Sequence, residues 1–312
     1  MRALVTGANG FIGRFLCERL QRAGYRVRAS VRAADGAGFP HDELHVSGDL
    51  AQATEWEQAI DGVHVVFHIA GVAHIIEPTR EAKARMFAVN AGATASLARA
   101  VAAARHVRRF VLLSSAKVSG ETSGDGALTT ADVNPPDAYA CSKWEAEEAV
   151  RRAVDAGKFT IVRTPLVYGP GVRANFLALM RQASRPLPLG NVHNLRSLIF
   201  VRNLSDVLLW LSANDAAAGG TYFVSDFEDV STPELIRRMA AAMGRSARLL
   251  HVPLRLLTTA AATLGRGAEL QKAIASLRVD VEPLRALGWQ PPFSMAEGLL
   301  ETAHWLAGGT QA

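Results

Sequence analysis

Arg2-Ala-Leu-Val-Thr-Gly-Ala-Asn-Gly-Phe-Ile-Gly13 begins with a short apolar run and then spaces Gly7, Gly10 and Gly13 three residues apart. Ala3-Leu-Val5 has the length of a buried strand. Apolar Phe15, Leu16 and Leu20 mark one face of a helix expected over Phe11–Ala23, with Gly24 as its stop. A strand that turns through glycines into a helix offers free backbone N–H groups and the positive helix end to a phosphate. Gly7 suits the tight turn, Gly10 the close approach of a pyrophosphate, and Gly13 close helix–strand packing. The rival reading is a glycine-rich turn that binds nothing. Its place between an N-terminal strand and a helix favours the dinucleotide cradle.

The rhythm continues outward from this stretch. Strands are expected at Arg26–Val31, Leu44–Val46, Val63–Ile69, Phe110–Leu113 and Phe159–Val162, and helices at Thr54–Ile60, Met86–Ala104 and Ala138–Ala156. Alternation of this kind predicts an α/β fold, a doubly wound parallel sheet with right-handed crossovers. After Pro165 the elements shorten among glycines and prolines. Strands are read at Ser197–Val201 and Tyr222–Val224, and helices at Asn203–Ser212, Thr232–Met243 and Met295–Leu306. The expected organisation is a dinucleotide-binding part over 1–165, to which 195–225 returns, and a smaller interleaved lobe from 166–194 and 226–312. Ligands belong in the cleft beyond the strands' carboxyl ends.

Composition narrows the function classes. At 312 residues and 49% hydrophobic the chain can bury a large core. The net charge of +5 is scattered in pairs such as Arg151–Arg152 and Arg237–Arg238, which decorate solvated helices more often than they bind nucleic acid. Cys17 and Cys141 have no metal-ligand spacing, so no metal is expected and a reduced, cytoplasmic setting is the default. Leu249–Leu264 is interrupted by His251, Pro253 and Arg255 and is too short to span a bilayer. A buried or lid helix is expected there, with an amphipathic membrane contact as the alternative.

Arg32 stands at the end of the second strand, where a carboxylate would accept ribose hydroxyls of NAD and an arginine would pair with the 2′-phosphate of NADP. The expectation is NADP, against a solvated loop residue. Asp49, after the third strand, suits the adenine amino group or a simple helix cap. Tyr139 and Lys143, four apart, share a helix face, where an ammonium would lower the phenol's pKa and make the pair a proton donor to a carbonyl. Ser115 offers a hydroxyl to the same oxygen, or ends a strand in a polar turn.

These residues resemble the extended short-chain dehydrogenases/reductases, the family of nucleotide-sugar epimerases, dehydratases and reductases. The resemblance covers nearly the whole chain through Thr6-Gly-Ala-Asn-Gly-Phe-Ile-Gly13, His68-Ile-Ala-Gly71, Val89-Asn90, Leu113-Ser-Ser-Ala-Lys-Val-Ser-Gly120, Tyr139-Ala-Cys-Ser-Lys143 and Arg163-Thr-Pro-Leu-Val-Tyr-Gly-Pro170. It implies a catalytic Ser115, Tyr139 and Lys143, with Lys143 also on the nicotinamide ribose. It implies cofactor contacts at Gly7, Asn9, Gly10, Phe11, Ile12, Arg32, Asp49, Leu50, Ile69, Ala70, Gly71, Asn90, Ser114 and Pro165. Substrate contacts follow at Ser115, Lys117, Asn175, Leu189 and Arg196, the last two lying against the base and on the pyrophosphate of a UDP-sugar. His74 is read either as a sugar contact or as a capped loop histidine.

Two departures narrow the choice. Ala116 and Lys117 occupy the places of the Asp-Glu pair of sugar 4,6-dehydratases, and Ser119 replaces the tyrosine of many 4-epimerases. Ser114-Ser-Ala-Lys-Val-Ser-Gly-Glu121 and Val192-His-Asn-Leu-Arg-Ser-Leu-Ile-Phe-Val-Arg-Asn-Leu204 resemble a subgroup that reduces UDP-4-keto-6-deoxy-N-acetylhexosamines for surface polysaccharide. The expectation is therefore an NADPH-dependent 4-keto reductase, with an NAD-dependent UDP-sugar 4-epimerase and a cofactor-sensing binding protein as alternatives. The resemblance further implies a homodimer through a helix pair including residues near Met86–Ala104 and Ala138–Ala156.

Overall fold

A computed structural model describes residues 1–34, 38–52, 54–73, 79–265 and 267–308. The first strands and helices are β1 (Arg2–Thr6), α1 (Phe11–Arg22), β2 (Arg26–Val31), β3 (Glu43–Val46), α2 (Trp56–Ile60), β4 (Val65–His68), α3 (Arg80–Phe87) and α4 (Ala93–Ala103). They continue with β5 (Arg109–Ser115), α5 (Ala138–Ala153), β6 (Phe159–Thr164), β7 (Leu166–Tyr168), α6 (Ala174–Gln182), β8 (Pro186–Leu187), β9 (Arg196–Phe200) and α7 (Val201–Ala213). The chain closes with β10 (Thr221–Phe223), β11 (Asp229–Val230), α8 (Thr232–Ala242), β12 (Arg248–Leu249), α9 (Leu254–Thr263), α10 (Gly267–Ile274), α11 (Glu282–Ala286) and α12 (Met295–Ala307).

Seven strands form one sheet in the order β10-β6-β5-β4-β1-β2-β3, with every pairing parallel. The order reverses at β1, beside β4, which opens a crevice at the strands' carboxyl ends. Alternation along the strands feeds two cores. Ala3, Val5 and Val111 join Leu16 and Leu20 of α1 and Val207 and Leu211 of α7. Leu4, Val66, Phe110 and Leu112 face the opposite way, onto Trp56, Leu97, Val101 and Val150. Burying strands on both faces is what their near-continuous apolar character requires.

A second, three-stranded sheet in the order β11-β9-β7 packs with α6, α8 and α12 around Tyr168, Phe176, Phe200, Leu235, Met239 and Leu299. Between residues 195 and 225 the chain serves both layers. β9 belongs to the small sheet, α7 packs on α1, and β10 becomes the edge of the large sheet. The helix expected over Met86–Ala104 is differently built. It begins at Arg80, and a π-helical turn at Ala88–Gly92 separates α3 from α4. Both cysteines are free, and burial pushes the Cys17 thiol up to about 12, out of reach of reactive chemistry. Among the described residues no helix is long and apolar enough to cross a membrane.

Candidate active site

The glycine turn has its geometry dictated from both sides. Gly7 takes φ +67°, and a Cβ there would meet the Ala70 Cα at 2.9 Å. A Cβ on Gly13 would lie 2.3 Å from the Gly7 carbonyl oxygen and 2.7 Å from the Ala8 Cα, so α1 sits against the turn only because Gly13 is bare. Gly10 heads α1 with no side-chain cap and no acid in the first turn, which leaves N–H groups and the positive helix end for an anion. Phe11 and Ile12 pack toward the small-lobe core, and the Asn9 carbonyl accepts from Arg14 Nε at 3.0 Å.

Thr6 then fastens the opposite wall. Its Oγ1 accepts from the backbone N–H of Ile69 at 3.1 Å and of Ala70 at 3.2 Å, and lies 2.8 Å from His68 Nδ1. His68 Nε2 lies 2.9 Å from Thr94 Oγ1, and burial drives the imidazole pKa down to about 3, so the ring is neutral. Residues 69–71 are thereby laid alongside Gly7 as plain backbone. This cradle, closed to any added Cβ yet lined with free donors, fits the pyrophosphate of a dinucleotide.

Ser115 ends β5, and its Oγ accepts from the Lys117 N–H at 3.3 Å. Tyr139 and Lys143 follow on α5, whose N-cap Asp137 accepts from the Ala140 N–H at 2.8 Å. Lys143 Nζ donates to the Leu113 carbonyl. Asn90, in the π-helical turn, clasps the backbone of Val72, accepting its N–H at 2.7 Å and donating to its carbonyl at 3.0 Å. It also donates to Ser142 at 2.9 Å. A Cβ on Gly71 would stand 3.1 Å from Asn90 Oδ1 and 3.9 Å from Lys143 Nζ, so Gly71 passes between them.

The phenol's protonation departs from the expectation of a lysine-lowered pKa. Burial pushes the Tyr139 pKa above its ordinary value; the Ser115 hydroxyl pulls it back in part, and Asp137 adds to the rise. Lys143 gives its ammonium to the Leu113 carbonyl and is itself pushed down to about 8 by burial, with Glu147 acting the other way. The resting site therefore presents a neutral phenol, a proton donor.

At the end of the crevice beyond β2 and β3, Arg32 is exposed just past β2. Asp49 is held by Arg85 of α3 through two hydrogen bonds of 2.7 and 3.0 Å and also accepts from the Ala51 N–H at 3.0 Å. The Arg85 hydrogen bond chiefly, with Arg32 among the further charges, keeps the Asp49 carboxyl below its usual range. Leu50 packs half-buried on the α2–α4 side, and Pro165 is buried between β6 and β7.

The small lobe places its expected contacts less uniformly. Asn175 is exposed in the first turn of α6, after Ala174 at φ +54°. Leu189 lies half-buried against the lobe's core. Arg196 begins β9, but its Nη1 donates to the carbonyls of Lys272 at 2.7 Å and Ala275 at 3.2 Å, so the guanidinium holds the end of α10. Lys117 Nζ pairs with Asp137 at 2.7 Å and with Glu121 at 3.6 Å. His74 lies outside the described residues.

Residues 3–225 match the model of the NAD dependent epimerase/dehydratase family. The chain belongs to that family. It is 35% identical to a UDP-glucose 4-epimerase of Vibrio cholerae, over 96% of this chain and 94% of that one. A ceramide reductase of Caulobacter vibrioides is 30% identical over 96% and 93% of the two chains. A solved UDP-glucuronic acid 4-epimerase of Bacillus cereus in complex with NAD superposes with a TM-score of 0.77, covering 99% of each chain, at 19% identity, a likeness of fold.

Beneath the site of this epimerase/dehydratase-family chain lies a network that sequence reasoning missed. Glu147, one turn past Lys143 and fully buried, accepts from Arg163 Nε at 2.9 Å and Nη2 at 2.8 Å and from Arg151 at 3.0 Å. The Ser114 hydroxyl donates to Glu147 at 2.5 Å. Arg163 Nη1 donates to Ser119 Oγ and to the carbonyls of Thr130 and Asp132, which ties the loop after β5 to β6 and, through Glu147, to α5. The available signal was the spacing Tyr139-x-x-x-Lys143-x-x-x-Glu147, which continues one helix face inward.

Proposed function

We propose that the protein reduces the C4 ketone of a UDP-4-keto-6-deoxy-N-acetylhexosamine with NADPH. The observation that carries this reading is the phenol of Tyr139. It lies beside the Ser115 hydroxyl and one helical turn before Lys143 on α5, and burial raises its pKa. A group poised as an acid suits a reaction that begins at a ketone and ends at an alcohol. Bound NADPH would supply the hydride to C4. Tyr139 gives its proton to the carbonyl oxygen as negative charge develops there, and Ser115 holds that oxygen. Lys143 steadies the phenolate that remains until solvent restores its proton.

Support for NADPH comes from Arg32, exposed where the second strand ends, with no carboxylate between Val31 and Ala34. A planar guanidinium bonds a 2′-phosphate and repels no part of it. Support for a UDP-sugar comes from the V. cholerae and B. cereus relatives, both named as UDP-sugar 4-epimerases. On this reading the pyrophosphate draws Arg196 from the carbonyls at the end of α10, and Asn175 meets it from α6. Binding energy gained there positions C4.

A second reading, an NAD-dependent UDP-sugar 4-epimerase, is favoured by the 35% identity to the V. cholerae enzyme. It differs in its first step, in which Tyr139 would take the proton of the C4 hydroxyl as bound NAD accepts the hydride. The test is to incubate purified protein with NADPH and the 4-keto sugar nucleotide. Loss of the reduced-nicotinamide absorbance with formation of the 4-hydroxy product supports the reductase. Unchanged absorbance together with interconversion of UDP-N-acetylhexosamine epimers would make the epimerase correct.

A further inference from the structure

Charge and exposed apolar side chains converge on one stretch of the surface. Of the net charge of +5, residues 244–264 account for +3: Arg245, Arg248 and Arg255, all exposed, with no carboxylate among them. The same stretch carries Leu250, Leu254, Leu256 and Leu264, four of the eleven large hydrophobic side chains that stand exposed among the described residues. Single exposed leucines need no explanation, but this grouping does.

The helix α9 shows how the two features are arranged. A surface helix ordinarily buries one apolar stripe, yet no residue of α9 is buried. Leu256, Ala260 and, at the helix end, Leu264 follow at four-residue spacing and so form one outward stripe, with Leu256 63% and Leu264 74% exposed. Exposed Arg255 flanks the stripe, and exposed Arg248 precedes it on β12. The face is anchored on the small lobe. β12 pairs with β8, and the Gly190 N–H donates to the Leu250 carbonyl at 3.0 Å.

A partner for such a face must accept leucines and arginines together. An anionic bilayer surface does both: leucines enter the headgroup–acyl boundary while guanidiniums remain at the phosphates. A helix of ten residues is about 15 Å long, too short to span and suited to lie in the interface plane. We propose that α9 and the preceding residues 244–253 form a docking face for the surface of an anionic membrane. The inference is independent of the reaction proposed above, and its readout involves no substrate.

The test is co-sedimentation of the full chain with vesicles of phosphatidylcholine alone and of phosphatidylcholine mixed with phosphatidylglycerol. Binding is expected to the mixed vesicles, little to the neutral ones, and less as salt rises. Arg248→Ala and Arg255→Ala should each weaken it about fivefold. Leu256→Glu with Leu264→Glu should abolish it. These positions are exposed, and far-ultraviolet circular dichroism checks that each variant is folded. No binding to mixed vesicles, or equal binding by all the variants, overturns the proposal. So would self-association in place of vesicle binding, lost in the leucine variants, which would assign the face to a second copy of the chain.

Discussion

Glu147→Gln removes one charge from the buried pair beneath the active site and leaves its shape intact. Glu147 accepts four hydrogen bonds, from Ser114, Arg151 and two nitrogens of Arg163, and both it and Arg163 are fully buried. In the variant one carboxylate oxygen becomes an N–H₂ group that faces guanidinium donors, and the Arg163 charge is left unpaired. Breaking a buried pair in this way costs about 3–5 kcal/mol. With an unfolding entropy of about 2.1 cal/mol/K per residue, the 312-residue chain should lose roughly 5–8 °C in Tm. A second effect falls on catalysis. Glu147 works against the burial that holds Lys143 down to about 8, so its removal lowers that pKa further. Activity that needs the Lys143 ammonium disappears as pH rises through its pKa, and the alkaline limb of the profile should move to lower pH. Calorimetry and a pH–rate profile check the two effects. A stability loss under about 1 kcal/mol, the scale of an exposed pair, or an unmoved alkaline limb would refute the reasoning.

Tyr139→Phe should abolish turnover while cofactor binding, followed by nicotinamide fluorescence, persists; substantial turnover would remove Tyr139 from the chemistry. Arg32→Ala should raise the KM for NADPH tenfold or more, corresponding to the loss of about 1.4 kcal/mol or more, and leave NADH nearly unaffected. Equal losses for both cofactors would contradict a 2′-phosphate contact. His68 titrates near 6.5 when unfolded and about 3 when folded, so the unfolded chain binds more protons between those values. Stability should therefore fall as pH drops from 6.5 towards 3, by up to about 1.4 kcal/mol per pH unit. Acid unfolding of His68→Gln should lack that component, and an unchanged acid midpoint relative to neutral stability would count against it.

Periodicity and glycine placement made much of the fold legible. Ala3-Leu-Val5 and Phe159-Thr-Ile-Val162 read as strands because both faces are buried, and Gly7 and Gly13 read as a cradle because no Cβ fits there. The π-helical turn that aims Asn90 at Val72 was not legible, since one extra residue per turn leaves no trace in a 3.6-residue pattern. Segment α6 also escaped, because it follows closely on Gly169-Pro-Gly171 and its first residue, Ala174, takes φ +54°. At the site, Ser115, Tyr139 and Lys143 could be placed by strand end and helix spacing. What could not be read was the competition each group faces. Burial raises the Tyr139 pKa against the Ser115 hydroxyl, Glu147 claims the Ser114 hydroxyl, Arg85 claims Asp49, and the end of α10 claims Arg196. Such contests are settled by neighbours distant in sequence.

Hydride transfer to C4 is the central claim, and isotope transfer tests it most directly. The protein would be incubated with NADPH deuterated at both C4 positions of the nicotinamide and with the UDP-4-keto-6-deoxy-N-acetylhexosamine, and the product examined by mass spectrometry and proton NMR. One deuterium at C4 of the sugar, with its proton signal missing, is the predicted result. A product formed without deuterium at C4, or sugar epimers interconverted with no label taken up, would contradict it.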